Sequence, residues 1–269
     1  PLSDSEQELW FLDQEINERG VYLDGEAITN AAYIAQQETA RIDREIRKLT
    51  KYSVQASSQA ARLLDWLKLQ GVEIESLGKT GLKEYADAWG EALDPTARQV
   101  IALRLSAAKS STKKLATMLH RRQPDGRARE NLIFHGAGTG RWAGVGIQLH
   151  NMVRDTHENM DSAIALLKPR APELIRMIEG DVMTFVARCM RGLIRAAPGH
   201  DLLAADFNNI EGVGIAWLAG EGLKLDDFRA AFAGTGPGIY EVAAGDIFGV
   251  PVKDITKIPL VTLLQYNLV

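Results

Sequence analysis

Through the first half of the chain apolar residues recur at helical spacing. In "SDSEQELWFLDQEINERG" the positions Leu9, Trp10, Leu12 and Ile16 keep a 3.6-residue period, which predicts a first helix. Ser3 with Glu6 three residues later predicts a capping box at its start, and Gly20 ends it. "VYLDG" reads as a short extended link, and "EAITNAAYIAQQETARIDREIRKLT" as a long second helix. "SSQAARLLDWLKLQG" predicts a third helix, capped by Ser57 or Ser58 and stopped by Gly71. "DPTARQVIALRLSAAKSSTKKLATMLHRR" predicts a fourth, with Asp94 as N-cap and Pro95 at the first helical position. "QPDGR" is a turn.

The texture then changes. Residues 131–154, "NLIFHGAGTGRWAGVGIQLHNMVR", are rich in glycine and aromatics and carry no helical period. "DSAIALLKPRAPELIRMIEGDVMTFVARCMRGLIRAAPGH" returns to helices, broken near Pro169 and Pro172. "DLLAADF" reads as a short buried strand, from its apolar run and flanking turn signals. "NIEGVGIAWLAGE" predicts a helix with an unusual glycine load, followed by "DDFRAAF" and "GIYEVAAGDIFG". There is no internal repeat. Helices therefore dominate, and a mixed part begins near residue 131.

Composition changes this picture little. The chain has 269 residues, 46% of them apolar and 25% charged, with a formal net charge of −4, enough for one large domain or two smaller ones. No apolar run is long enough to cross a membrane, and the acidic N-terminal stretch has no signal-peptide core. The one cysteine, Cys189, excludes an internal disulfide and a cysteine zinc cluster. It reads as a small core residue of a protein in a reducing, cytoplasmic setting.

Charge distribution matters more than its sum. Residues 1–47 hold eleven acids and four bases, whereas residues 97–129 hold nine bases and one acid, Asp125. Such a stripe suits a polyanion, or it is a solvated helix face. "FHGAGTGRWAG" is neither a P-loop nor a dinucleotide fingerprint, since no Gly-Lys-Ser/Thr follows and no helix opens from it. Arg141-Trp142 within it suits a phosphate or nucleotide contact, with the aromatic as alternative core anchor. In "LLAADFNNIEG" an apolar run ends in Asp206, with Glu211 five residues on. A carboxylate fixed at a strand end can hold Mg²⁺, a hard cation satisfied by one or two carboxylates plus substrate phosphates. Alternatively, Asp206 caps the following helix.

These parts, in this order, resemble a known family. "GAGTGRWAG…IQLHNMVR" is similar to the Thr-Gly-Arg segment of family A DNA polymerases, the DNA polymerase I type, especially phage versions. "LLAADFNNIEGVGIAWLAGE" is similar to their first palm motif, Asp-x-Ser-x-Ile-Glu-x-Arg, and "GIYEVAAGDIFGVPVKDIT" to the segment leading into the fingers. "AAKSSTKKL" and the helices around it resemble the thumb. The resemblance implies an α+β, mostly helical fold: a thumb-like region over 1–130, the N-terminal part of a palm with a short antiparallel sheet over 131–256, and an atypical tail over 257–269.

The resemblance further implies template-directed DNA synthesis from dNTPs on primer–template DNA, with two Mg²⁺ ions in the complete enzyme. Asp206 matches the first metal-binding aspartate and the Phe207 carbonyl the ligand beside it. Glu211 matches the glutamate that excludes a ribose 2′-hydroxyl, so Asp206 and Glu211 are the implied catalytic residues. The nucleotide side is implied to run through Phe207, Asn208, Asn209, Ile210 and Glu211. DNA contacts are implied for Lys109, Lys113, Lys114, Thr139, Arg141, His150, Asn151 and Arg154. Asn208 stands where the motif serine is expected, Val213 where its arginine is, and His150 where a Gln is.

The tail "KIPLVTLLQYNLV" carries neither the basic fingers helix nor the His-Asp-Glu motif with the second aspartate. No exonuclease segment precedes it in the sequence read. The expectation is a monomeric middle piece of a polymerase from a bacterial or phage-infected cell, inactive by itself, whose C-terminal half is supplied elsewhere if at all. A non-catalytic duplex-binding fragment and a small nucleotide-binding enzyme are the alternatives.

Overall fold

The computed structural model describes residues 3–89, 92–108, 112–249 and 251. The fold is mostly helical with a short antiparallel sheet. Helix α1 (Asp4–Arg19) opens with the expected capping box: Ser3 Oγ accepts from the Glu6 amide, and the Glu6 carboxylate accepts from the Ser3 amide at 3.0 Å. Gly20 ends it and releases strand β1 (Val21–Leu23). Asp24 then caps α2 (Gly25–Leu49) by accepting from the Ala27 amide at 2.9 Å. The chain continues through α3 (Ala60–Leu69), α4 (Lys79–Trp89), α5 (Pro95–Ala107) and α6 (Lys113–Arg121). Strands β2 (Arg127–Ala128), β3 (Leu132–Ile133) and β4 (Ala143–Gly144) follow, then α7 (Met160–Leu167), α8 (Pro172–Glu179), α9 (Val182–Cys189) and β5 (Ile194–Arg195).

The long apolar stripe of α2 organises the core. Ile28, Ile34, Ile42 and Ile46 are fully buried, and α5, α6, α7, α8 and α9 all pack against this helix. One acid interrupts the stripe. Glu38, 3% exposed, receives the Arg41 guanidinium through Nε at 3.0 Å and NH2 at 2.7 Å, and a second guanidinium from Arg176 of α8. Two cations with directed donors meet the cost of taking that carboxylate out of water. Strand β1 lies between β2 and β5, both antiparallel, with Tyr22 opposite Arg127 on one side and Arg195 on the other. β3 and β4 form a second ladder, Leu132 opposite Gly144.

Contacts divide the chain into two compact units, Pro1–Leu202 and Leu203–Val269. The change of texture near residue 131 lies inside the first, where β1 pairs with both β2 and β5 and so joins distant parts of the chain. The described residues of the second form α10 (Ile210–Ala219), α11 (Gly222–Phe232) and α12 (Ile239–Phe248), packed around Ala216, Phe228 and Ile239.

Three expectations change. The fourth helix is described in two parts, α5 and α6, on either side of residues 109–111, which lie outside the described residues. Helix α4 has no counterpart in the sequence reading; its Leu82 is 1% exposed and anchors it. The buried strand expected at "DLLAADF" is absent: residues 201–207 are irregular and exposed, with Leu202 at 64% and Leu203 at 97%. An apolar run becomes a core strand only where neighbours take its backbone hydrogen bonds and a layer covers its face. The described remainder of its own unit is helical and offers no such neighbour. Among the described residues no helix is long and apolar enough to cross a membrane.

Candidate nucleic-acid interface and metal-binding segment

The Thr-Gly-Arg loop connects β3 to β4 and folds on itself: the Ala137 amide donates to the Arg141 carbonyl at 3.0 Å, and the Gly140 amide to the Ala137 carbonyl at 2.9 Å. Thr139 and Arg141 lie exposed on it. Trp142 does not face outward as a ligand contact would. Its indole Nε1 donates to Asp13 Oδ1 of α1 at 2.8 Å, and its ring meets Phe134 edge-on at 5.6 Å, which settles it as an anchor.

Beyond β4 the chain turns tightly. At Gly144 a Cβ would sit 2.8 Å from His150 Nδ1, and at Gly146 (φ +59°) it would sit 2.4 Å from the Arg121 guanidinium. The left-handed backbone at Gly146 favours glycine, and at Gly144 a side chain would displace the His150 ring. A single turn of 3₁₀ helix, Leu149–Asn151, then presents His150 and Asn151 at the surface. Lys114 of α6 holds this turn. Its Nζ donates to the carbonyls of Ile147 (3.1 Å), Gln148 (2.9 Å) and Asn151 (3.1 Å), which uses all three ammonium donors. Burial lowers the pKa of this lysine.

The basic segment 97–129 thus has an unexpected use. Arg121 donates to the Glu130 carbonyl at 3.0 Å, Arg122 Nε to the Leu23 carbonyl at 3.3 Å, and Arg127 to the Arg19 carbonyl at 3.2 Å. Arg129 bonds the Glu18 carbonyl and Asp125, whose carboxyl is held down to about 2 chiefly by that guanidinium. These cations tie α1, β1 and β2 together rather than lining a solvated helix face. No sequence period reveals this, because the acceptors of Arg122, Arg127 and Arg129 in the N-terminal elements are main-chain carbonyls around a hundred residues away. Arg98, Lys113 and Arg154 remain exposed and without an ion pair among the described residues. Lys109 lies outside the described residues.

In the second unit, Asp206 is exposed and makes no hydrogen bond or ion pair among the described residues. It does not cap the next helix. That place falls to Asn209, in left-handed conformation (φ 50°), whose side chain accepts from Tyr240 Oη of α12 at 3.2 Å. Phe207 is 79% exposed and Ile210 56%, Asn208 is exposed, and Glu211 sits in the first turn of α10. The segment therefore carries the carboxylates of Asp206 and Glu211 within one short stretch of chain. Among the described residues no group of three or more His, Cys, Asp or Glu side chains is placed to hold a metal ion.

No family model matches the chain, and no solved structure matches it. Among curated proteins it is similar to the DNA polymerase of Bacillus phage SP02, with 37% identity over 255 residues. The match covers 94% of this chain but 38% of that protein, so the chain spans well under half the length of its relative.

Proposed function

We propose that this chain is part of a DNA polymerase of the DNA polymerase I type, serving template-directed nucleotidyl transfer from dNTPs. The observation that carries the reading is the 37% identity to a phage DNA polymerase, sustained over 94% of the chain. In this reading the first unit supplies the grip on primer–template DNA. Lys113 and Arg154 are exposed cations for backbone phosphates, Arg141 and Thr139 reach the strand from a closed loop, and His150 and Asn151 follow on the turn that Lys114 secures. Lys114 therefore acts through the turn, with its own donors already engaged.

The second unit supplies one carboxylate of the metal site. Its donors suit Mg²⁺ in kind: the Asp206 carboxylate and the Phe207 carbonyl are hard oxygens on an exposed segment. The ions, when bound, lower the pKa of the primer 3′-hydroxyl and neutralise the leaving pyrophosphate. In this reading Asp206 would hold a metal ion through its carboxylate, and Glu211, on the first turn of α10, would exclude a ribose 2′-hydroxyl. The 269-residue chain by itself is expected to bind primer–template without extending it.

The test is binding of a fluorescent primer–template to the chain across a salt series. Affinity should fall steeply with salt, and Lys113→Glu should weaken binding while leaving thermal unfolding unchanged. Binding that is insensitive to both salt and Lys113→Glu rejects the reading. Mg²⁺-dependent extension lost on Asp206→Ala would overturn the inactivity of the isolated chain.

A further inference from the structure

Helix α1 inverts the usual sidedness of an amphipathic helix. Its single fully buried side chain is a carboxylate, Asp13 at 2% exposure, while Leu9, Trp10, Phe11, Leu12 and Ile16 all stay exposed. Burying an ionised group requires partners. Asp13 has no arginine or lysine against it among the described residues, and three neutral donors take their place. Trp142 Nε1 reaches Oδ1 at 2.8 Å, Asn17 Nδ2 reaches Oδ1 at 3.2 Å, and Gln14 Nε2 reaches Oδ2 at 2.9 Å. Asn17 also grips β3: its Nδ2 donates to the Leu132 carbonyl at 3.1 Å and its Oδ1 accepts from the Leu132 amide at 3.0 Å.

The two ends of the Thr-Gly-Arg loop are thus held by one turn of α1, Leu132 through Asn17 and Trp142 through Asp13. Arg141 is the residue immediately before Trp142, and its carbonyl closes the loop. An indole fixed at 2.8 Å from a buried carboxylate leaves the Arg141 Cα little freedom. We propose that Asp13 is a positioning residue for nucleic-acid binding: by accepting the Trp142 N–H it holds the loop in the conformation that presents Arg141. The proposal rests on the reading above in which Arg141 contacts the DNA backbone.

Primer–template binding by the full 269-residue chain, measured by anisotropy over a salt series, tests it. Arg141→Ala should weaken binding and lower the slope of log K against log salt by about 0.9, the loss of one phosphate contact. Asp13→Ala should weaken binding by up to roughly tenfold, as expected for one charge-assisted contact, with the same change of slope. Asp13→Asn, which keeps an oxygen for the indole, should recover most of the loss. In the R141A background Asp13→Ala should cost nothing further.

Amide exchange at Ala137 and Gly140 should quicken in Asp13→Ala while α2 and α9 stay protected. If Asp13→Ala does not fold, Trp142→Phe removes the same bond from the other side and should give the same pattern. Equal losses with and without Arg141, or a loss for Arg141→Ala and none for Asp13→Ala or Trp142→Phe, overturn the positioning role and leave the DNA-binding reading intact. No loss for Arg141→Ala removes the DNA-binding reading of this loop, and the positioning role with it.

Discussion

The first unit closes one continuous apolar core from Leu23 to Leu193, with α2 through its middle. Among its described residues the second gathers a small cluster, Ala216, Phe228 and Ile239, and leaves Ile215, Trp217, Leu218 and Leu223 between 67% and 86% exposed. The candidate functional residues inherit that difference. Arg141, His150 and Asn151 stand on a loop and turn held by Asp13 and by Lys114. Asp206 stands on an irregular segment with no internal partner among the described residues. In the proposed reading recognition would rest on preorganised structure, and the Asp206 carboxylate on a segment that supplies it no partner among the described residues.

Core truncation should separate the units most sharply. Phe185, 2% exposed and 4.6 Å from the His157 ring, lies in the first core, and Phe185→Ala should cost about 3–5 kcal/mol in urea unfolding. Phe228→Ala in the second unit should leave that transition in place and only accelerate amide exchange in α10 and α11. A shared, equal loss in both variants would show that the units unfold as one.

A smaller effect is expected at Glu38. Glu38→Gln leaves Arg41 and Arg176 facing each other without their carboxylate, with both side chains 32% exposed and so partly screened. Water reaching those guanidiniums reduces the several kcal/mol of a fully buried broken pair to about 1–3 kcal/mol, again confined to the first unit.

The smallest effect is a pH dependence. The Asp125 carboxyl is depressed from 3.8 to about 2, first by the Arg129 hydrogen bond and then by the Arg127 amide. A depressed carboxyl contributes stability that is present above its unfolded value and is lost as pH falls through its folded one. Melting temperature should therefore drop between pH 4 and pH 2 by less in Asp125→Asn than in the parent chain. An unchanged acid profile would remove Asp125 from the ties around β2.

Local rules carried much of the fold into view. The Ser3–Glu6 capping box, the Asp94–Pro95 start and the apolar period of α2 depend on neighbours a few residues apart, and all three stand as expected. What depends on distant partners was not legible. "DLLAADF" has the apolar run of a core strand, but a strand is a property of a sheet, and periodicity does not say whether a sheet is there. Asp13 reads as one polar position of a helix until Trp142, distant in sequence, arrives against it. The loop drew attention through its glycines and Arg141, whereas the residues that hold its ends, Asp13 and Asn17, carry no signature at this range.

The carbonyl-bound cations have one more effect. A guanidinium or ammonium whose hydrogens are taken by neutral carbonyls has lost its freedom to touch a ligand but keeps its unit charge. Lys114 is held in this way by three main-chain oxygens, and Arg121, Arg122 and Arg127 each commit part of their donors to such oxygens. They therefore carry positive charge in places set by the fold, at no further ordering cost when a polyanion approaches. In the proposed reading their contribution would fall on the speed and direction of the encounter with DNA, and that of Lys113 and Arg154 on the lifetime of the complex.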